Sequence, residues 1–315
     1  MPRSPIAAEI RRVLNQFDVV LESITMRKIS AQPTSSQELG RKIGDLRGKT
    51  ILMSGGSRGI GLEIAKRCAQ DGANLVIAAK STQEHPNLPG TIYSACEEVR
   101  AAGGKSLPVV MDVREESQVQ AAVDAAVKAF GGIDIVVNNA SAIHLADTEN
   151  TPAKKFDLMF DINVRGTFLL TQAALPHLRK ASNPHILTLA PPIDLDGRWF
   201  KAHGSYTTSK YAMAMIARSF AEEMRAYGIA SNCLWPRTTI ATAAILNMSG
   251  GKMLGNSSRK PAIMADAAYE ILCRDAKTTT GQSFIDDAVL LACGVTDFEQ
   301  YSVKPGSKLQ PDLFL

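Results

Sequence analysis

Long apolar runs, paired cysteines and a strong net charge are all missing from this chain of 315 residues. No stretch approaches the ~20 apolar residues that a membrane helix needs, and the N-terminus lacks the apolar core of a secretory signal. The five cysteines form no CxxC or Cys/His cluster, so we expect no metal site and free thiols in a reducing compartment. The net charge of +4 comes without a basic stripe, and nucleic acid is therefore not an expected partner.

Residues 1–48 differ in pattern from the remainder of the chain. Six apolar residues recur at steps of four and three and predict one face of a helix: Ile6, Ile10, Val13, Phe17, Val20 and Ile24. This helix has three interpretations, namely packing on its own domain, self-association, or a cleaved organelle-targeting segment. The stretch SAQPTSSQELG that follows indicates a linker. We expect a cytoplasmic protein, with a mitochondrion or peroxisome as alternatives in a eukaryote, although no C-terminal peroxisomal signal is present.

Residues 49–315 alternate between short apolar segments and amphipathic ones, which predicts a single α/β domain. The predicted strands are TILMSG, NLVIAAK, LPVVMD, DIVVNN, HILTLA, IASNCLW and QSFID. The predicted helices include residues 61–72, 91–102, 115–130, 153–180 and 206–227. Continuous apolar strands separated by helices indicate a parallel sheet covered on both faces. The fold class is therefore predicted as a doubly wound, Rossmann-type sheet of about seven strands, with ligands at the carboxyl ends of the strands.

The segment SGGSRGIG, residues 54–61, connects the first strand directly to a helix. Gly55 allows a sharp turn, Gly59 lets the backbone approach a diphosphate, and Gly61 lets the helix pack close to the strand. The free N–H groups at the helix N-terminus would then meet the diphosphate. We expect Ser57, Arg58 and Ile60 to contribute to the same dinucleotide site, and the alternative is an ordinary structural turn.

The end of the second strand lacks the carboxylate that usually binds the free ribose hydroxyls of NAD. Lys80 stands there instead, and Arg58 lies inside the glycine turn. Two cations near the adenosine ribose suit a 2′-phosphate, so we expect NADP (NADPH) rather than NAD as the cofactor. The alternative for Lys80 is a solvated lysine at a strand end.

Tyr206 and Lys210 are four residues apart in a predicted helix, which places both on one face. A phenol ordinarily titrates near ~10, and a neighbouring ammonium favours the phenolate and lowers that pKa. Tyr206 could then donate a proton to a carbonyl oxygen or remove one from an alcohol. The alternative is an ordinary surface pair on an amphipathic helix.

These motifs, in this order, resemble the short-chain dehydrogenase/reductase family: SGGSRGIG, MDV at 111–113, NNAS at 138–141, INV at 162–164 and YTTSK at 206–210. The similarity covers nearly everything from residue 49 onward. Further segments, among them ANLVIAAKS, LAPPIDL, LWPRTTIATAA and KPGSKLQPD, are similar to one branch of the family. Animal members of that branch carry an additional sterol-carrier domain, which we do not expect in this chain.

The resemblance implies roles for residues outside the turn and the tyrosine–lysine pair. It implies that Lys210 also holds the nicotinamide ribose and that Asn163 holds a water that links the lysine to solvent. For Asn163, a helix-interior residue that satisfies backbone groups is the alternative. The residues that it implies for cofactor binding are Asp112, Val113, Asn139, Ile240 and Thr242. The assignments of Ile240 and Thr242 rest on a shifted spacing, because Arg237 replaces the usual glycine after the proline.

The resemblance also implies a homodimer or homotetramer formed through helices 153–180 and 206–227.

The serine that the family uses to polarise the substrate carbonyl is missing. Counting back thirteen residues from Tyr206 reaches Ile193, and alignment of the strand points to Ala190 or Pro191, none of which has a side-chain donor. Nearby polar candidates are Thr188, Asp194 and Ser205, and strand alternation places Thr188 one pleat deeper. Loss of one donor to a developing oxyanion typically costs ~3 kcal/mol, which predicts a weakened or rebuilt site.

Two functions follow from these residues. The first is an NADP-dependent oxidoreductase that interconverts an alcohol and a carbonyl, with an apolar substrate bound by LDGRWF (195–200) and residues 237–262. The second is an NADP-binding sensor or scaffold with little turnover. The tyrosine–lysine pair favours the first function and the missing hydroxyl favours the second, while the identity of the substrate is not encoded in any motif.

Overall fold

The computed structural model describes residues 39–247 and 251–315. The helix predicted from residues 6–24 lies outside these described residues. Within them, no helix is both long enough and apolar enough to cross a membrane, and no group of three His, Cys, Asp or Glu side chains could hold a metal ion.

Seven strands form one sheet in which every neighbouring pair is parallel. They are β1 (Thr50–Ser54), β2 (Asn74–Ala79), β3 (Lys105–Val110), β4 (Ile135–Asn138), β5 (His185–Thr188), β6 (Ala230–Trp235) and β7 (Ser283–Ile285). Their order across the sheet is β3-β2-β1-β4-β5-β6-β7. The predicted doubly wound sheet of about seven strands is confirmed.

The helices of the described residues cover both faces of the sheet. They are α1 (Gly59–Ala69), α2 (Ile92–Ala101), α3 (Glu116–Phe130), α4 (Ala153–Met159), α5 (Gly166–Leu178), α6 (Arg198–Lys201), α7 (Gly204–Glu223), α8 (Ala243–Leu246), α9 (Gly251–Asn256), α10 (Ala262–Leu272) and α11 (Asp286–Ala292). A π-helical segment, Phe160–Arg165, joins α4 to α5. The long helix predicted over 153–180 is therefore present, with one wider turn inside it.

Alternation along the central strands divides the core into two layers. Ile51 and Met53 belong to a cluster formed with α1, α2 and α10, whereas Leu52 belongs to a second cluster formed with α3, α5 and α7. Successive side chains of a strand point to opposite faces, so β1 is apolar throughout because helices cover it on both sides. Leu39 and Leu46, in the segment that the sequence assigned to the extension, are buried in the first cluster.

The strand order changes direction between β1 and β4, and the loops that follow these two strands form a crevice there. The side chains of Ser54 and Asn139 connect the two loops. Asn139 Nδ2 donates to the backbone oxygens of Ser54 at 3.1 Å and Gly55 at 2.9 Å, and Ser54 Oγ accepts from the Asn139 backbone N–H at 3.2 Å. These hydrogen bonds fix the two loops relative to each other at the crevice.

Candidate active site

A cavity of about 400 Å³, here called the glycine-turn cavity, lies at the carboxyl ends of β1 and β2. Ten of the residues predicted to bind the cofactor line it: Gly55, Ser57, Arg58, Gly59, Ile60, Lys80, Asp112, Val113, Asn139 and Thr242. Helix α1 begins beside it at Gly59 with no side-chain cap. The N–H groups of its first turn therefore remain available to an anion such as a diphosphate.

Two glycines of the turn are required by close approach. Gly55 has a φ of +71°, and a Cβ there would lie 2.9 Å from the Ala140 Cα. At Gly61, which does not line the cavity, a Cβ would lie 2.6 Å from Asn139 Nδ2. Gly61 therefore keeps α1 close to the amide that connects the crevice loops, as expected for a dinucleotide turn.

Cations outnumber carboxylates at the far end of the glycine-turn cavity. Arg58 is held by the loop after β2, since its Nε donates to the Pro89 oxygen at 3.1 Å and its Nη2 to the Gly90 oxygen at 2.6 Å. Lys80 lies 3.4 Å from Asp112, which Arg114 also contacts at 2.6 Å. Hydrogen bonds from Arg114 hold the pKa of Asp112 well below its usual range. Of the charged residues that line the cavity, two are cations, Arg58 and Lys80, and one is a carboxylate, Asp112, which leaves this lining with a net positive charge.

A second cavity of about 450 Å³, here called the tyrosine cavity, contains Tyr206, Lys210 and Ile240. It shares five lining residues with the glycine-turn cavity: Ile60, Asn139, Ser141, Thr242 and Ala244. The two cavities are therefore continuous along the carboxyl edge of the sheet. A dinucleotide that lies across the switch point would extend from one cavity into the other.

Tyr206 and Lys210 are both buried, with exposed fractions of 5% and 2%. Lys210 Nζ donates to the Leu189 backbone oxygen at 2.5 Å and lies 5.0 Å from the centre of the Trp235 ring. Within the described residues, no protein group forms a hydrogen bond with the Tyr206 hydroxyl. The phenol therefore faces the cavity with its hydrogen-bonding capacity free, and the neighbouring ammonium is satisfied by an uncharged oxygen.

Burial dominates the titration of both groups. It raises the pKa of Tyr206 above its ordinary value, and the negative charge of Asp312 raises it further. Burial lowers the pKa of Lys210 to about 7, an effect that Cys233 and Asp312 partly oppose. The lowering of the tyrosine pKa expected from the sequence is not found, because burial desolvates the phenolate and Asp312 adds a nearby negative charge.

Asn163 is fully buried in the π-helical segment and lines neither cavity. Its Oδ1 accepts from the Ala142 N–H at 2.7 Å, and its Nδ2 donates to the Ala142 oxygen at 3.0 Å and to Ser209 Oγ at 3.0 Å. Ser209 Oγ in turn donates to the Tyr206 backbone oxygen at 2.8 Å. Asn163 therefore joins the loop after β4 to helix α7 close to the tyrosine.

Four of the positions considered for the missing serine supply no group to the tyrosine cavity. Ala190 is fully buried. Thr188 is also buried, and its Oγ1 accepts from Asn138 Nδ2 at 3.4 Å. Asp194 accepts from the indole Nε1 of Trp199 at 2.8 Å, and Ser205 does not line the cavity. None of the nearby polar candidates is therefore directed at Tyr206.

The predicted apolar wall of the site is only partly correct. No residue of 195–200 lines the tyrosine cavity, whereas six residues of the predicted stretch 237–262 do: Thr239, Ile240, Thr242, Ala244, Ile245 and Leu254. The bond between Asp194 and Trp199 folds that segment onto itself, and Leu195 is 76% exposed. The C-terminal residues 310–313, which the sequence analysis did not assign to the site, form this wall instead.

Phe314 anchors this C-terminal segment. Its ring is buried among Trp199, Tyr206, Tyr211 and Trp235, with centroid separations of 5.6, 6.2, 5.2 and 5.8 Å. Its φ of 73° is unusual for a residue with a side chain. No sequence pattern signals such a conformation, so the contribution of residues 310–313 could not be inferred from the sequence.

Comparisons with known proteins are consistent with this geometry. The family model described as short chain dehydrogenase matches residues 49–248. The chain is 54% identical over 272 residues to hydroxysteroid dehydrogenase-like protein 2 of Danio rerio, a match that covers 86% of this chain and 65% of that relative. The chain thus spans slightly less than two thirds of the length of this relative. This match confirms the branch of the family that ANLVIAAKS and the other segments indicated, because the Danio rerio protein belongs to that branch.

Two solved structures show the same fold. A short chain dehydrogenase from Mycobacterium thermoresistibile is 53% identical with a TM-score of 0.82, over 86% of this chain and 96% of that one. An NADH-dependent reductase, A1-R′, responsible for alginate metabolism, is 25% identical with a TM-score of 0.63, over 76% of this chain and 96% of that one. Because that relative uses NADH, the choice of cofactor has to be argued from the residues of this chain.

Proposed function

Since the chain belongs to the short-chain dehydrogenase/reductase family, whose members are oxidoreductases that use nicotinamide dinucleotides, we propose that it is an NADP-dependent oxidoreductase. It interconverts an alcohol and a carbonyl on an apolar substrate, with Tyr206 and Lys210 as the acid–base pair. The observation that carries this proposal is the continuity of the glycine-turn cavity with the cavity that contains both side chains. The glycine turn would hold the diphosphate, and the bound cofactor supplies or accepts the hydride.

Tyr206 is the proton donor in the direction of reduction. Its raised pKa keeps the phenol protonated at neutral pH, and its hydroxyl faces the cavity without a protein partner among the described residues. Lys210 lies one helical turn away, bound to the Leu189 oxygen. A positive charge in this position stabilises the phenolate that forms when the proton leaves. Asn163 supports the pair through Ser209 rather than through direct contact.

The preference for NADP rests on the positive end of the glycine-turn cavity. Arg58 and Lys80 both line it, and the sequence offers no carboxylate at the end of β2 to bind a free ribose hydroxyl. Asp112, the one acid there, is paired with Arg114 and Lys80. A guanidinium and an ammonium at this place suit a 2′-phosphate.

An apolar, lipid- or steroid-like substrate suits the wall of the tyrosine cavity. The apolar residues that line it include Ile143, Leu145, Leu189, Trp235, Ile245, Leu254, Met264 and Leu313. Among these, Ile143 and Leu145 are exposed, as are Leu246 and Met253 in neighbouring segments. Apolar pockets with a few directed polar groups are typical of sites for small apolar molecules, and the name of the Danio rerio relative refers to a hydroxysteroid dehydrogenase.

We propose in addition that the protein is a cytoplasmic homodimer or homotetramer. Large apolar side chains are exposed on the helices that the family resemblance predicts for the contact, namely Phe156 on α4, Phe168 on α5 and Met215 on α7. The five cysteines are all free, which supports a reducing compartment.

The first prediction concerns the proton donor. Tyr206→Phe removes the hydroxyl and keeps the ring that packs against Phe314, so NADPH-dependent reduction of apolar ketones and aldehydes should fall by about 100-fold or more. NADPH affinity, measured by fluorescence, should stay within twofold. Tyr227→Phe, at an exposed tyrosine, is the matched control and should leave the rate unchanged. Equal turnover by wild type and Y206F would remove Tyr206 from the mechanism, and a wild type that binds NADPH without any turnover would favour the binding-protein alternative.

The second prediction concerns cofactor preference. Lys80→Glu should weaken NADPH binding by about tenfold to 100-fold, because a hydrogen bond to a charged group contributes ~1.5–3 kcal/mol, while NADH binding changes little or improves. Isothermal titration with both nucleotides measures the ratio, and Lys128→Gln on the exposed face of α3 is the control. An unchanged ratio of NADPH to NADH affinity in K80E would contradict the assignment.

The third prediction concerns assembly. Light scattering at micromolar concentration should give a mass at least twice the 33.9 kDa of one chain. Phe168→Glu combined with Met215→Glu should shift the mass towards the monomer, since both side chains are exposed on the proposed contact. A wild-type protein that is monomeric throughout this range would rule out the proposed assembly.

A further inference from the structure

The tyrosine cavity needs a polar group that holds the substrate oxygen beside Tyr206, since Ala190 offers none. Apart from Tyr206 and Lys210, its polar lining consists of Asn139, Ser141, Thr239, Thr242, Gln310 and Asp312. One of these groups can take the place of the missing hydroxyl only if its donor is free and it lies beyond the part of the crevice shared with the glycine turn.

Four of the six groups fail this requirement, and a fifth, Gln310, is set aside because it is exposed to solvent. Asn139 Nδ2 is bound to the Ser54 and Gly55 oxygens, and Thr239 Oγ1 is paired with Ser258 Oγ at 2.7 Å. The Gln310 amide donates one of its two N–H groups to the Pro311 oxygen at 3.2 Å. The other two, Ser141 and Thr242, also line the glycine-turn cavity and so lie on the side proposed for the cofactor. Asp312 is left.

The backbone holds Asp312 in a defined position. Its N–H donates to the Arg237 oxygen at 3.1 Å, and its Oδ1 accepts from the Leu313 N–H at 2.7 Å. Within the described residues, Oδ2 has no hydrogen-bond partner. The next residue is fixed as well, because Trp235 Nε1 donates to the Leu313 oxygen at 2.9 Å. One carboxyl oxygen is thus oriented by the chain, and the other is free for a ligand.

The charges around Asp312 connect it to both members of the acid–base pair. Its negative charge contributes to the raised pKa of Tyr206 and opposes the lowered pKa of Lys210. Burial raises the pKa of Asp312 to about 6, against the opposing influences of the Leu313 N–H and Lys210. The carboxyl group is therefore protonated over part of the working pH range, and a protonated carboxyl is a hydrogen-bond donor.

We propose that the Asp312 carboxyl, in its protonated form, donates a hydrogen bond to the substrate carbonyl oxygen and so replaces the serine hydroxyl of the family. This inference rests on the proposed oxidoreductase function and goes beyond it, because it assigns a catalytic residue from the C-terminal segment.

The atoms balance without any change at Asp312. In reduction, the carbonyl carbon gains a hydride from the reduced nicotinamide, and the carbonyl oxygen gains the phenolic proton of Tyr206, so a C=O double bond becomes a C–H and an O–H single bond. Asp312 keeps its proton throughout and stabilises the negative charge that develops on the oxygen. A neutral carboxylic acid is suited to this because it adds a donor without adding a negative charge beside the oxyanion.

The pH dependence has a definite sign. Ionisation of Asp312 removes the donor, so reduction by the wild type should fall as the pH rises through about 6. The groups that face it are Tyr206 and Lys210 of α7, with Cys233 of β6 behind the lysine. Burial keeps the first and last of these protonated well above that range. The pKa of Lys210 is about 7, and the Asp312 charge keeps it from falling further. Substitution of Asp312 by an uncharged residue would therefore shift the titration of Lys210 to lower pH. Removal of the Asp312 titration itself would extend the activity to higher pH, so the two effects on the pH profile have opposite signs.

The test compares Asp312→Asn with Asp312→Leu. The amide of D312N is a donor that does not titrate, so D312N should keep the rate within about tenfold and lose the fall attributed to Asp312 between pH 5.5 and 6.5. D312L should lose about 100-fold in kcat, as when one oxyanion donor is removed. NADPH affinity should stay within twofold in both variants.

A second measurement is independent of turnover. In protein labelled at the aspartate carboxyl carbon, the NMR signal that disappears in D312N should titrate near pH 6 in the wild type. Titration below pH 4.5, or a D312L enzyme with wild-type kcat and an unchanged pH profile, would overturn the role of Asp312. If the wild type binds NADPH but reduces nothing, the proposed oxidoreductase function fails and this role fails with it. If the wild type is active and D312L is equally active, the role of Asp312 fails while the proposed oxidoreductase function stands.

Discussion

The buried ammonium of Lys210 is the charge around which the candidate site is organised. Its Nζ donates a short hydrogen bond to the Leu189 oxygen just beyond β5, and it lies over the ring of Trp235 at the end of β6. An isolated charge in an apolar interior is costly, and here burial lowers the pKa of the amine to about 7. Burial therefore disfavours the charged form of Lys210, and we propose that the phenolate that forms at Tyr206, four residues earlier in the same helix, is the negative charge that would stabilise it.

The topology of the sheet determines where Lys210 lies. Because β1 to β7 are all parallel, their carboxyl ends lie at one edge, and the change of direction between β1 and β4 opens the crevice there. Ser54 and Asn139 connect the loops after β1 and β4, while Asn163 and Ser209 connect the loop after β4 to the helix of Tyr206. These hydrogen bonds fix the positions of the loops that border both cavities.

Local patterns in the sequence predicted most of the fold and half of the site. The strands, the glycine turn and the spacing of Tyr206 and Lys210 depend on neighbours in the chain, and the family and the parallel sheet of about seven strands are confirmed. The wall of the tyrosine cavity depends on contacts between residues far apart in the sequence, such as Tyr206 and Phe314. Residues 195–200 were predicted to form it and do not line it, and the indole of Trp199 donates to Asp194 instead.

The C-terminal residues show most clearly what could not be predicted. Asp312 lies in a stretch without helical or strand periodicity, and its place depends on Phe314, which adopts a positive φ among four aromatic rings. The pKa of Tyr206 was missed for a related reason. Sequence spacing reveals that a lysine is near, whereas the degree of burial and the nearby carboxyl appear only once the chain has folded.

The most direct measurement is a crystal structure of the protein with NADP and a bound apolar secondary alcohol. The account predicts the nicotinamide in the tyrosine cavity, with the alcohol oxygen ~2.6–3.2 Å from the Tyr206 hydroxyl and its carbon ~3–3.5 Å from the reacting carbon of the nicotinamide. An alcohol bound elsewhere, or a nicotinamide outside the cavity with Tyr206 still covered by the protein, would contradict it.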